Sequence, residues 1–266
     1  MEIKILFLIL IPLSTAFLIP LLDVIKKKIR KYLVFTSIAA ELILTFYIYF
    51  TNLDLIKEGD FFLQYYLGGW KPPIGINLVM DNLSLLFLIF INLAFFLVAL
   101  YSIGFVGHHE GKYYVLFFLS MAASHGALLT GDLFNIYVFI EMITITSASL
   151  VGFKRDKESS EAAVKYLFYN IIAGLFFTFA VILVYINLGT LNLAEIAANF
   201  DTLDQRILIF ITGMFLISLL IKSGIFPFHY WMAKTYNAAP GPITAVLSGI
   251  ISKVYLYIFI RMIWTV

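Results

Sequence analysis

Eight apolar runs dominate the chain, at about 3–22, 31–51, 81–106, 113–130, 133–152, 162–187, 207–226 and 242–265. At 1.5 Å of rise per residue, about twenty helical residues match roughly 30 Å of hydrocarbon. A helix satisfies its own backbone polar groups in lipid. The runs therefore predict an all-α polytopic membrane protein with about eight transmembrane helices. Composition agrees: 62% of the 266 residues are hydrophobic and 13% charged, against about 25% charged in a soluble domain. There is no cysteine, which excludes disulfides, thiolate metal sites and cysteine nucleophiles. The first run has the position of a signal peptide. It lacks a basic leader and is followed by the basic cluster Lys26–Lys31, so it is expected to be a retained first span.

The loops predict an orientation. Lys26, Lys27, Lys28, Arg30, Lys31, Lys112, Lys154, Arg155, Lys157 and Lys234 put ten basic residues on one side. Lys4, Lys57, Lys71, Arg206 and Arg261 put five on the other. The positive-inside rule then places both termini outside and the basic loops in the cytoplasm of a prokaryotic cell membrane. Two outer segments are long. Phe61–Tyr66 and Ile74–Met80 flank the breaker Gly68-Gly69-Trp70-Lys71-Pro72-Pro73 and predict a short hairpin over the outer surface. Residues 191–203 place Leu193, Ile196, Ala197 and Phe200 on one face, which predicts a short amphipathic helix on the interface or on a neighbouring subunit.

Three ionisable side chains lie deep in apolar runs: Glu141, Lys222 and Lys253. A charge at mid-membrane costs roughly 2.5–3.5 kcal/mol on insertion scales, so such residues imply an ion pathway by default. Pro227 has no N–H, and its ring clashes with the carbonyl of Ser223. With Gly224 between them, the seventh helix is expected to break just after Lys222 and leave that carbonyl without its usual partner. A lysine at a discontinuous helix is an arrangement for ion transfer. Lys253 is too central to snorkel easily, with Gly249 one turn before it and Tyr257 one turn after. Glu141 shares a helical face with Tyr137 and Thr144. The expectation is a Glu141–Lys222 pair whose making and breaking changes the proton affinity of Lys222, with release toward Lys253. A static buried ion network is the structural counterpart of that reading.

Secondary candidates follow. His229, just past the break, could relay protons. His125 could conduct or bond a neighbouring helix. Asp132, after the Thr130-Gly131 turn, is placed to cap the fifth helix. His108 and His109 are expected to be solvated. No histidine has metal-site spacing, and no phosphate-cradling loop, GxSxG or basic nucleic-acid face is present. No catalytic redox site, cofactor site or nucleic-acid partner is expected on this chain. Its outer surface should meet lipid.

Several strings resemble a known family. They are KSGIFPFHYW from Lys222 to Trp231, AAPGP from Ala238 to Pro242, and LSGIISK from Leu247 to Lys253. To these add GDLFNIYVFIE from Gly131 to Glu141, and Gly68-Gly69-Trp70 leading into DNLSLLF from Asp81 to Phe87. Together they resemble the first half of the antiporter-like subunits shared by respiratory complex I, Mrp-type sodium/proton antiporters and membrane-bound hydrogenases. The pattern is most similar to the Mrp D-type subunit, and the resemblance runs from about residue 66 onward. It implies that Glu141, Lys222 and Lys253 line a proton path and that Lys165, in AAVKY, is a further member. It also implies a five-helix repeat over helices four to eight. The chain then divides into a three-helix segment at 1–106 and an ion-translocating repeat at 107–266. A second, inverted repeat would come from another membrane subunit. The leading expectation is an ion-translocating subunit of a larger respiratory, hydrogenase-type or Mrp-type complex. The alternative is a structural or assembly half-subunit with no complete channel of its own.

Overall fold

The computed structural model describes residues 2–25, 27–105 and 110–265. Lys26, His108 and His109 lie outside the described residues. Two helices, α1 (Ile3–Ile25) and α2 (Lys27–Thr51), precede the one-turn-plus helix α3 (Leu53–Glu58) and the strands β1 (Phe62–Tyr66) and β2 (Asn77–Asp81). Then come α4 (Asn82–Tyr101), α5 (Glu110–Leu129), α6 (Leu133–Val151), α7 (Lys157–Leu188), α8 (Leu193–Asn199) and α9 (Gln205–Ser223). After α10 (Tyr230–Ala238), α11 (Gly241–Val246) passes through a π-helical turn at Leu247–Ile251 into α12 (Ser252–Thr265).

Among the described residues, seven helices are long and apolar enough to cross a membrane. They match seven of the eight expected runs. The remaining run forms α5, 20 residues long. It packs against α1 and α6 and touches α4 and α12. Enclosed by protein rather than lipid, it can carry Ser120, Ser124 and His125, all with no exposed surface. That polar content lowers its hydropathy. One apolar core runs from Ile5 to Met262.

Polar residues at the helix starts explain the short connections. Asp81 accepts from the Ser84 amide at 2.9 Å, and the Ser84 hydroxyl accepts from the Asp81 amide at 2.7 Å, a reciprocal capping box. Asp132 caps α6, accepting from the Asn135 amide at 2.8 Å, as expected.

The loops sort by parity to the two ends of the bundle. At one end β1 and β2 form the expected hairpin, antiparallel with Phe62 opposite Asp81. Gly131 N–H donates to the Asn77 carbonyl, and Leu193 N–H donates to the Gly131 carbonyl, each at 2.9 Å. The Asn192 amide donates to Asn77 Oδ1 at 2.9 Å. These bonds staple hairpin, turn and α8 into one lid. The amphipathic helix is thus present, with Leu193, Ile196 and Phe200 buried in the chain's own core, while Ala197 is exposed. At the other end Arg30 bridges Asp23 at 2.6 Å and Glu110 at 2.5 Å.

α9 stops at Ser223, where the break was expected. Gly224 adopts φ +65° in the left-handed region. Its N–H donates to the Ile221 carbonyl, and Ile225 N–H donates to the Leu220 carbonyl, both at 3.1 Å. This is a Schellman closure led by the glycine, with Pro227 beyond it. The side-chain partner at the break goes to Ile221 rather than Ser223: Trp231 Nε1–H donates to the Ile221 carbonyl at 3.0 Å.

Candidate functional site

Lys222 sits in the last turn of α9 and is 1% exposed. Its Nζ donates to Glu141 Oε1 at 3.0 Å and to Thr144 Oγ1 at 2.9 Å. Both acceptors come from α6, three residues apart, which places them on one helical face. Glu141 is less enclosed, with its side chain 24% exposed. The space it occupies exists because position 174 of α7 is glycine: a Cβ there would lie 2.6 Å from Glu141 Oε1. The Lys222 ammonium also lies 6.0 Å from the centre of the Tyr255 ring on α12. Tyr166 is fully buried in the same region, edge-on to Trp231 at 5.1 Å between ring centres. The break in α9, the pair and the aromatic wall are therefore one unit, because Trp231 both packs on Tyr166 and closes the Ile221 carbonyl.

Lys253 is handled differently. Its Nζ donates to the Ser248 carbonyl at 2.8 Å, on its own helix, and approaches Ser252 Oγ at 3.3 Å. Lys222 meets α12 at Tyr255, and two residues separate by about 200° around a helix. Gly249 faces open space, since a Cβ there would meet nothing within 4 Å. Tyr257 is not a partner of Lys253: its hydroxyl donates to the Leu128 carbonyl at 2.7 Å and accepts from Arg261. The structure thus joins Glu141 to Lys222 directly and holds Lys253 apart on a hydrogen-bonded perch.

Lys165 and His229 stand outside the buried pair. Lys165 is half-exposed and pairs with Glu161 at 2.8 Å, which also takes Lys234 at 2.6 Å. His229 is exposed at the start of α10. The two share a surface recess of about 730 Å³ with Phe168, Tyr169, Tyr230 and Lys234. Asp132 belongs to the lid, where burial raises its carboxyl pKa against the opposing N–H groups of Asn135 and Phe134. His125 is buried and bonds α1, its Nδ1 lying 2.6 Å from the Leu8 carbonyl. Among the described residues, no group of three or more acidic, histidine or cysteine side chains is placed to hold a metal ion.

Two residues stand outside the candidates drawn from the sequence. Gly174 carries no chemistry of its own, and nothing in a lone glycine announces the carboxylate it accommodates. Glu41 meets the criterion that selects Glu141, an isolated acid inside an apolar run, and is fully buried on α2.

Residues 130–266 match the family described as NADH:quinone oxidoreductase/Mrp antiporter, TM. The chain belongs to this family. It is 32% identical over 212 residues to the D-type subunit of a Na(+)/H(+) antiporter from Alkalihalophilus pseudofirmus, covering 79% of this chain and 43% of that relative. A chain of the membrane-bound sulfane sulfur reductase, an archaeal respiratory membrane complex, superimposes with a TM-score of 0.93 at 30% identity. That match covers all of this chain and 54% of the other. A chain of the Mrp complex from Dietzia sp. DQ12-45-1b gives a TM-score of 0.81 at 26% identity, covering 98% and 48%. The chain is therefore an antiporter-like, multi-pass membrane protein related to components of multisubunit complexes. It spans about half the length of the relatives it matches.

Proposed function

We propose that this chain is an ion-translocating subunit of a larger membrane complex, moving protons or exchanging them for sodium, with the Glu141–Lys222 pair as its switch. The observation that carries the reading is the enclosure of the Lys222 ammonium between Glu141, Thr144 and Tyr255 at the end of a broken helix. Pairing with Glu141 favours the protonated amine, whereas burial without that partner favours the neutral one. Movement of the Glu141 carboxylate, which keeps partial exposure, would shift Lys222 between holding and releasing a proton. Lys253, on its carbonyl perch beside open space at Gly249, is the proposed next acceptor through intervening water. The half-exposed Lys165 and exposed His229 would serve the approach from the basic end, which the charge bias assigns to the cytoplasm. Both termini would then face outward across a prokaryotic cell membrane. The second antiporter-like repeat is proposed to come from a neighbouring membrane subunit, or from sequence continuous with this one.

The test is ion flux in vesicles holding the intact complex, with Glu141→Gln, Lys222→Ala and Lys253→Ala. Each should abolish flux while the complex still assembles. Unchanged flux in all three would transfer the chain to a structural or assembly role.

A further inference from the structure

A second buried acid lies outside the Glu141–Lys222 pair. Glu41 stands on the inner face of α2, with Ser37 one turn before it and Thr45 one turn after. Three neighbouring helices bring polar groups to that stripe. Thr15 of α1 donates to Ser37 Oγ at 2.8 Å, and the Asn92 amide of α4 donates to Thr45 Oγ1 at 2.8 Å. His125 of α5 sets its Nδ1 3.8 Å from Glu41 Oε2. These groups pair with one another except at the centre and at Asn92 Oδ1, which also has no partner. Neither oxygen of Glu41 has a hydrogen-bond partner, and neither does His125 Nε2.

Donor and acceptor chemistry restricts what this centre can hold. A carbonyl oxygen only accepts, so the 2.6 Å contact with Leu8 fixes a proton on His125 Nδ1. Nε2 is then the free acceptor of the ring. An ionised Glu41 beside a neutral imidazole would be a buried, unbonded charge, which is a costly state. Two arrangements avoid it. In one, Glu41 is a neutral acid and His125 a neutral base. In the other, the carboxyl O–H has broken, its proton has passed through water to Nε2 because the ring nitrogen nearest Glu41 is the occupied Nδ1, and a carboxylate faces an imidazolium. Both are neutral overall, and both hold one more proton than the bare carboxylate with a neutral ring.

We propose that Glu41 and His125 form a second proton-binding site, holding one exchangeable proton between them. Among the described residues no other charged side chain competes for it, and the unpartnered Asn92 Oδ1 can accept a hydrogen bond but does not ionise. α1 presents the Leu8 carbonyl and Thr15, α4 presents the Asn92 amide, and α5 presents His125. Arg30, Asp23 and Glu110 pair with one another toward one end of α2, and Lys4 lies over the Tyr47 ring toward the other. The site therefore titrates as an isolated couple, with water as the only co-reactant. α5 also packs on α6, the helix of Glu141, so the two polar centres lie on adjacent elements.

Infrared difference spectra of the purified complex, taken between acidic and alkaline buffers in H2O and D2O, test this directly. They read protonation rather than flux, so the outcome does not depend on the role given to Glu141 and Lys222. A carboxylic-acid carbonyl band should titrate, shift in D2O, vanish in Glu41→Gln and survive in Glu141→Gln. Its midpoint should move by about one pH unit or more in His125→Gln, since coupled sites titrate as a pair. A band that ignores Glu41→Gln, or that neither titrates nor exchanges, overturns the proposal. Should Glu41→Gln fail to assemble, the His125→Gln midpoint decides alone: an unmoved band refutes a shared proton.

Discussion

Gly174→Ala perturbs the proposed switch without touching either charged residue. The new Cβ would lie 2.6 Å from Glu141 Oε1 and 3.2 Å from its Cδ, whereas ordinary contact begins at 3.4 Å. The carboxylate must therefore retreat by about 0.8 Å, and it can, because it is the far end of a flexible side chain. Turned along the Lys222 bond, that retreat stretches 3.0 Å to about 3.8 Å, beyond hydrogen-bond range. A hydrogen bond to a charged group is worth about 1.5–3 kcal/mol. The lower end applies, since a quarter of the Glu141 side chain meets solvent. A loss of about 1.4 kcal/mol is tenfold in an equilibrium, so the paired state should fall about tenfold. The helix itself should not suffer, because alanine has roughly 1 kcal/mol more helix propensity than glycine. The expected result is normal assembly and Tm with flux reduced about tenfold in reconstituted vesicles. Full flux, with Glu141 shown displaced, would refute the view that this contact controls transfer.

The break in α9 offers two further tests. Trp231→Phe keeps the aromatic packing on Tyr166 but removes the donor to the Ile221 carbonyl. The Gly224 N–H still reaches that carbonyl, so stability should drop by about 0.5–1.5 kcal/mol for the lost bond, read as a lower Tm, with faster amide exchange in the last turn of α9. Gly224→Ala forces a side chain into φ +65° and sets its Cβ 2.1 Å from Met232 Sδ. The left-handed conformation alone costs about 1–2 kcal/mol. Both Tm and flux should fall, and an unchanged Tm would show that the turn can be rebuilt.

Much of the fold is legible in the sequence because lipid imposes a length and a polarity on each element. The β1–β2 hairpin, the Asp132 cap and the stop after Lys222 follow from local rules about glycine, proline and capping side chains. α5 shows where such rules weaken: enclosed by α1 and α6, it need not be as oily as a lipid-facing helix. The site is legible to the level of residue type. Isolated charges in apolar runs pick out Glu141, Lys222 and Lys253, but not the contacts they make. Side-chain reach across helices decides those contacts, and it gives Lys222 to Glu141 and Thr144 while Lys253 folds back on Ser248. Glu41 was within reach of the same criterion. Gly174 was not, because its contribution is an empty volume defined by a helix thirty residues earlier in the chain.

The position of the break gives Lys222 its energetic character. Burying an ammonium costs several kcal/mol even after relaxation, and three features offset that cost. The first two are the charged bond to Glu141 and the neutral bond to Thr144. The third is the end of α9 itself, since a cation in the last turn gains about 0.3–1 kcal/mol from the aligned peptide dipoles, and more when partly buried. Had the helix run on past Ser223, the lysine would sit mid-helix without that gain. The glycine-led closure also consumes the Leu220 and Ile221 carbonyls through backbone and Trp231 donors. Those oxygens are no longer free to hold the ammonium in place of Glu141. The charged state of Lys222 thus rests chiefly on one partly exposed carboxylate. A two-state element responds to a ligand only by the difference in affinity between its states. In the proposed switch that difference would be concentrated in a single contact, which a proton arriving at Glu141 would remove.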